Sequence, residues 1–167
     1  LSFYVVFMRG VPPLVVLYVI FFTAGLRSAT VAAILGLSIY HTAYVADIVR
    51  GGILAIPKGQ FEAAKSLALS SSQIMLRVII PQVWYAILPA LTGQYIILVK
   101  DTALTSAIGV RGILWAGQQL MNLTGQPFLL YFLVGIFYYV VCYLFERMTF
   151  YLERLVRIKV NPSWRQS

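Results

Sequence analysis

The chain has 167 residues, of which 60% are hydrophobic and only 11% charged, and its mean hydropathy is +0.85. Soluble domains carry about 25% charged residues, so this composition excludes an ordinary water-soluble fold and predicts a membrane protein. The net charge of +8 gives little support to nucleic-acid binding, because the basic residues are spread between apolar runs and form no patch. The single cysteine, Cys142, excludes an internal disulfide framework.

The apolar runs predict an all-α integral membrane protein, a polytopic bundle of transmembrane helices. About four spans are expected, at residues 10–26, 29–49, 83–99 and 127–146, close to the roughly 20 residues that cross a bilayer. The first run is short, so residues before Pro12 have to share its crossing, and Pro12 and Pro13 suit a first helical turn. Ala32 and Gly36 give the second span a small-residue face for close helix packing. Residues 1–155 are expected to form one domain, followed by a basic cytoplasmic tail at 156–167.

Ionisable residues inside spans are costly and mark candidate functional sites. His41 falls within the second span, where it is either satisfied by a partner inside the bundle or acts as a ligand or proton relay. Lys100, Asp101 and Thr102 are expected to end the third span. They either line a path through the membrane or mark its boundary.

Charges and helix-breaking residues predict where the spans end or bend. Arg50-Gly51-Gly52 is expected to end the second helix, with Asp47 and Arg50 paired three residues apart on one face. Pro89 and Gly93 interrupt the third span. Such breaks are tolerated where a helix lines protein or a water-filled path instead of lipid.

One polar stretch, residues 57–81, interrupts the apolar chain and is expected to contain two short helices. Pro57 suits the first turn of the first helix. Three small or aromatic residues at helical spacing give this helix an apolar face: Phe61, Ala64 and Ala68. Glu62 lies near its N-terminus, where the helix dipole favours an anion.

The second short helix is expected at Ser71–Ile80. Ser70 stands three residues before Gln73, which is the pattern of a capping box at a helix N-terminus. Pro81 is expected to stop this helix. The whole stretch is therefore predicted to be a capped helix pair lying against the membrane surface.

Charge counting places the polar stretch in the cytoplasm. With residues 57–81 inside, ten of the 13 basic residues fall inside, as the positive-inside rule requires. The three on the outside are Arg27, Lys100 and Arg111. The ten on the inside are Arg9, Arg50, Lys58, Lys65, Arg77, Arg147, Arg154, Arg157, Lys159 and Arg165. The polar stretch and the basic tail then share one side, because two spans separate them.

The polar stretch resembles the EAA motif of the membrane subunits of ABC importers. The residues that carry the resemblance are Glu62-Ala63-Ala64, the small residue Ala68, Ile79 and Pro81. Flanking segments narrow it to polar amino-acid permeases of the histidine/glutamine/glutamate/arginine type. These segments are Arg9-Gly10-Val11-Pro12, Ala43-Tyr44-Val45-Ala46-Asp47, Arg50-Gly51-Gly52-Ile53, residues 56–62, Pro81-Gln82 and residues 98–104.

Three positions depart from the pattern of that family. Ala68 stands where the family has glycine, Asp47 where it usually has Glu, and Gly93 where Asn is frequent. The family usually has five spans, and this chain opens inside an apolar pattern without an initiator Met. We therefore expect that the first family span is missing from this sequence.

The resemblance implies the permease fold of type I ABC importers, with residues 57–81 as a cytoplasmic coupling-helix pair. It implies a pore-forming subunit that moves a polar amino acid across a bacterial inner membrane. The implied partners are a second permease subunit, identical or related, an ABC ATPase subunit, and a periplasmic or tethered binding protein that sets much of the side-chain selectivity. The resemblance assigns ATPase coupling to Gly59, Glu62, Ala63, Ala64, Ala68 and Pro81, and it implies that the broken third span lines the route. The candidate substrate-path residues, which come from their polarity within or near spans, are His41, Lys100, Asp101 and Thr102.

The sequence contains no catalytic pattern. It lacks a Gly-x-x-x-x-Gly-Lys-Ser/Thr loop, so it cannot hold ATP phosphates in the way a P-loop does. We expect no metal and no cofactor, with ATP bound by the partner. The alternative function is an ion-coupled secondary transporter or a channel subunit, which needs no ATPase and more often carries charges in mid-span.

Overall fold

The computed structural model describes the backbone of residues 2–160 and the side chains of residues 3–151, and this part of the chain is helical without strands. A π turn (Met75–Ile79) precedes α6, and a 3-10 helix (Thr102–Ile108) follows it. The predicted tail lies partly outside the described residues, because only its first positions continue the last helix. The helices are α1 (Ser2–Gly10), α2 (Pro13–Thr23), α3 (Ala29–Leu54), α4 (Lys58–Ser66), α5 (Ser71–Ile74), α6 (Ile80–Asp101), α7 (Ile113–Thr124) and α8 (Pro127–Val160).

Three helical stretches are long and apolar enough to cross a membrane. They are Ala29–Leu54, Ser71–Ile108 and Pro127–Tyr151. A fourth crossing is present if α1 and α2 count as one broken span, since the two meet at 103°. Pro12 explains this break, because a proline lacks the N–H that would continue α1 and forces the residue before it out of the helical region. The prediction of an all-α bundle with about four spans is confirmed.

The polar helix pair leads into the third span without a stop. The prediction that Pro81 ends the second helix is wrong, because Pro81 lies in the first turn of α6. In the π turn ahead of it, the Ile80 N–H donates to the Met75 carbonyl. This wider turn accommodates a residue that has no N–H of its own and whose ring would crowd a regular helix. The Gln82 side chain also donates to the Val78 carbonyl, at 2.8 Å.

As predicted, α6 ends at Asp101, with Thr102 at its C-cap. The chain nevertheless continues past them as the 3-10 helix, whose last residue, Ile108, is buried against Ala32 and Ala33 of α3. Asp101 therefore lies within a longer helical stretch.

Two glycines allow α3 to pack closely against its neighbours. The helix runs through Gly52 to Leu54, so the predicted end at Arg50-Gly51-Gly52 is wrong. A Cβ added at Gly52 would lie 2.2 Å from Ile87 Cγ2 of α6. On the small-residue face that includes Gly36, an added Cβ would lie 2.9 Å from Cδ2 of Leu17, a fully buried residue of α2. Both contacts require the absence of a side chain.

Replacing Gly52 with alanine should destabilise the fold. The added methyl overlaps Ile87, and such overpacking costs about 1–3 kcal/mol. Thermal unfolding of the purified protein in detergent measures the effect. Gly51→Ala is the matched control, because nothing lies within 4 Å of the Cβ it adds and alanine is the better helix former. An equal loss of stability in both variants would contradict the packing argument.

Candidate functional site

The polar stretch forms a short helix with one face buried and one face free. Ala64 is 4% exposed and belongs to a cluster with Ile74, Ile79 and Val83. Three of the residues assigned to coupling are exposed on α4, namely Gly59, Glu62 and Ala63. Ala68, which follows the helix and was wrongly predicted on its apolar face, and Pro81, in the first turn of α6, are exposed as well. Leu67 joins them, with 75% of its surface exposed. Ala64 thus packs within the protein, whereas the other five assigned residues are exposed and can contact another protein.

Ala68 closes α4 in a conformation that favours glycine. Its φ of +56° lies in the left-handed region. The Ala68 N–H donates to the Lys65 carbonyl at 2.9 Å, and the Leu69 N–H donates to the Ala64 carbonyl at 3.4 Å. These two bonds form a Schellman motif, and Leu69 packs on the cluster that contains Ala64, as this motif often requires. The geometry explains why a glycine would suit this position.

The second polar helix begins with the predicted capping box. The Gln73 N–H donates to Ser70 Oγ, and the Ser70 N–H donates to Gln73 Oε1. From this cap the chain runs into α6, and Ile79 is completely buried. Partly buried residues from the end of α3 pack against the same cluster: Ile48, Val49 and Ile53. The polar stretch is thus attached to both α3 and α6.

A buried polar cluster links α3 to α6 near the middle of α3. His41 is 5% exposed, and its Nδ1 lies 2.7 Å from Gln94 Nε2. Its Nε2 lies 3.2 Å from Asp101 Oδ2, although it makes no well-aligned hydrogen bond. When the Gln94 amide donates to Nδ1, the ring proton is left on Nε2, facing the carboxylate. His41 is therefore a partnered residue of the bundle and also a potential ligand.

A cavity of about 520 Å³ lies beside this cluster, between α3 and α6. Among the described residues, His41 and Thr102 are the two predicted path residues that line it. Lys100 is exposed and outside the lining, and Asp101 lies behind His41. Polar residues that the sequence assignment missed also line the cavity: Ser38, Thr42 and Tyr95. A volume of this size is typical of small-molecule sites.

Gln94 is the member of the polar cluster that the sequence assignment missed. A signal was available, since Gln94 lies seven residues before Asp101 and therefore on the same face of one helix. The partner of Asp47 also differs from the prediction, and it is Arg9. It forms the ion pair with Asp47 and lies 6.0 Å from the Tyr44 ring centre, so the predicted Asp47–Arg50 pair is wrong. This ion pair fastens the end of α1 to α3.

The profile of a known family covers nearly the whole sequence. That family is described as the binding-protein-dependent transport system inner membrane component, and its profile matches residues 1–158. The chain belongs to this family.

Curated members of the transport family share about a third of their residues with this chain. The arginine ABC transporter permease protein ArtQ of Haemophilus influenzae is 34% identical over 152 residues, which cover 84% of this chain and 69% of that protein. The L-cystine transport system permease protein TcyB of Bacillus subtilis is 33% identical, and the match covers 92% of this chain and 68% of that protein. The chain spans 58% of the Escherichia coli ArtQ protein.

Solved transporters of the same family have the same fold. An amino acid ABC transporter crystallised with histidines matches with a TM-score of 0.84 and 35% identity over 92% of this chain and 73% of that one. The methionine transporter MetNI, in an inward-facing conformation, matches with a TM-score of 0.81 and 26% identity, over 93% of this chain and 73% of that one. The predicted fold class, an ABC importer permease of type I, is confirmed, and the chain is a multi-pass membrane protein.

Replacing Ala68 with glycine should stabilise this permease. Glycine adopts the left-handed conformation without the steric cost that alanine has, but it also has more conformational freedom in the unfolded chain. The net gain in the free energy of unfolding is about 0.5–1 kcal/mol. Ala63→Gly makes the same chemical change on the exposed face of α4, where glycine should cost about 1 kcal/mol. Thermal unfolding in detergent should therefore shift in opposite directions. A shift in the same direction for both variants would contradict the role of the Ala68 backbone.

Proposed function

We propose that this chain is the pore-forming permease subunit of an ATP-driven importer of polar amino acids in a bacterial inner membrane. The family and the names of its relatives, which are arginine, cystine and glutamine permeases, support this assignment. The structural observation that most supports it is that one helix pair contacts both the exposed α4 helix and the cavity. α3 and α6 hold the exposed α4 helix at one end and the cavity with its polar cluster farther along.

ATP hydrolysis is assigned to a separate ABC subunit that docks on α4. Glu62 and Ala63 present a small surface of mixed charge, with Lys58 and Lys65 exposed within a turn of Glu62. This surface suits a socket on that subunit, with Leu67 as an apolar anchor beside it. The buried face of α4 packs on Ile79 and Val83. A displacement of α4 therefore moves the start of α6, and α3 follows because it is in close contact with α6 at Gly52.

The cargo path is assigned to the cavity between α3 and α6. Its volume is sufficient for an amino acid, and its polar lining offers hydroxyl and imidazole groups within a mostly apolar wall. His41, Asp101 and Thr102 keep their proposed place on this path. Lys100, which is exposed, is assigned to its edge. The chain is proposed to pair with a second permease subunit and to receive amino acid from a periplasmic or tethered binding protein.

Reconstitution tests the proposed function. The full-length permease is placed in liposomes with its ATPase, and the binding protein and labelled amino acids are added outside. We expect uptake that requires ATP inside the liposomes and the binding protein outside. Uptake driven by an ion gradient alone would instead support the secondary-transporter alternative and refute the importer.

Glu62→Lys should uncouple ATP hydrolysis from transport. It replaces an exposed anion on the docking face with a cation, so co-purification of the ATPase and uptake should both fall by at least tenfold. Gln119→Lys, at an exposed position of α7, is the control and should retain both. Normal co-purification and uptake in the Glu62 variant would contradict the docking assignment.

A bulky side chain in the cavity should block transport without preventing assembly. Ser38→Trp fills part of the cavity lining, so uptake should fall by at least tenfold while ATPase co-purification remains. Leu35→Trp places the same side chain at an exposed position of the same helix outside the lining and should leave uptake nearly unchanged. Equal uptake in the two variants would show that cargo does not pass through this cavity.

A further inference from the structure

The His41–Asp101 contact keeps the interior of the helix pair electrically balanced. An isolated carboxylate within a membrane protein is costly. With an imidazole 3.2 Å away, the two groups are neutral in sum in either of two states. One is an imidazolium beside a carboxylate, with the Gln94 amide turned so that its oxygen accepts from Nδ1–H, and the other is a neutral imidazole beside a carboxylic acid. Gln94 orients the ring through its contact with Nδ1, so that Nε2 faces the carboxylate.

No other charge in the described lining of the cavity alters this balance. The lining contains His41 but no Lys, Arg, Asp or Glu. Arg9 and Asp47 neutralise each other nearby, and Lys100 is exposed outside the lining. Lys100 is adjacent to Asp101 in the chain and acts on the carboxylate from outside the cavity, so the charge within the lining itself is set by the His41–Asp101 contact.

We propose that His41 determines the preference of this cavity for cargo of zero net charge over cationic cargo. The inference rests on the proposed function and specifies its substrate class. A neutral zwitterion, such as an amino acid with an uncharged polar side chain, enters a balanced cavity without adding charge. A cationic amino acid brings an uncompensated charge while His41 already neutralises Asp101. Without His41, the carboxylate becomes available to the cation.

His41→Gln should therefore shift binding toward cationic amino acids. The experiment measures equilibrium binding of radiolabelled L-arginine and of L-glutamine to the purified permease–ATPase complex, without binding protein. Removal of one compensating charge at this distance corresponds to a change on the order of tenfold when water in the cavity screens the two charges. We expect the arginine-to-glutamine affinity ratio to rise about tenfold. His41→Phe, which also lacks a titratable group, carries the same expectation if the first variant does not assemble.

The effect should depend on Asp101. In the double variant His41→Gln/Asp101→Asn, the affinity ratio should return to within about twofold of the wild-type value, which a general loosening of the helices would not produce. Arg27→Gln removes a positive charge from an exposed loop position and is the control for long-range electrostatics, with no expected change in ratio.

Three outcomes would overturn the inference. They are an unchanged ratio in His41→Gln, an equal rise in Arg27→Gln, and a rise that persists in the double variant. Absence of binding of either amino acid to the wild-type complex would also overturn it. The proposed function fails by a different measurement, namely the absence of ATP-dependent uptake in liposomes, so the two failures can be distinguished.

Discussion

The antiparallel contact of α3 with α6 is the constraint on which the rest of the structure depends. At one point of this contact, Ile87 packs against the backbone of Gly52, which has no side chain. At another, His41 contacts Gln94 and Asp101. A slide of one helical turn, about 5.4 Å, would place a side chain in the glycine contact and separate the polar partners. Buried polar groups have few alternatives in a membrane, so the two contacts together fix the register of the helices.

This fixed register also determines how α4, the helix proposed to dock the ATPase, is attached to the spans. α4 closes through a Schellman motif and packs on Ile79 and Val83, so its buried face moves with α6. The uninterrupted run from Ser71 to Ile108 then carries that movement past the cavity. The π turn is the irregular part of this run, and hinges and strained points in helices are often found at such turns.

Local signals predicted the parts of the fold that local physics determines. Hydropathy identified α3 and α8, and the spacing of Ser70 and Gln73 predicted a cap that needs only its own residues. The errors share a different cause. Pro81 continues a helix because of the π turn ahead of it, and Asp47 pairs with Arg9, 38 residues away. Gln94 becomes part of the site only when α3 packs against it. The Arg9 pair depends on tertiary packing, the π turn departs from the regular helical period, and the spacing of Gln94 from Asp101 shows a shared face but not the residue on α3 that completes the cluster.

If His41 sets the cargo preference as proposed, the buried His41–Asp101 contact also ties stability to selectivity. A lone acid beside the cavity would attract cations strongly but would weaken the helix pair, because an unpaired buried charge is among the most destabilising groups in a protein. Pairing the acid with an imidazole lowers the free-energy cost of burying it and neutralises the charge that the cargo would otherwise meet. The same contact helps to hold α3 against α6. A substitution at this position that changes cargo preference therefore also alters the α3–α6 contact, through which α4 is proposed to act on the cavity.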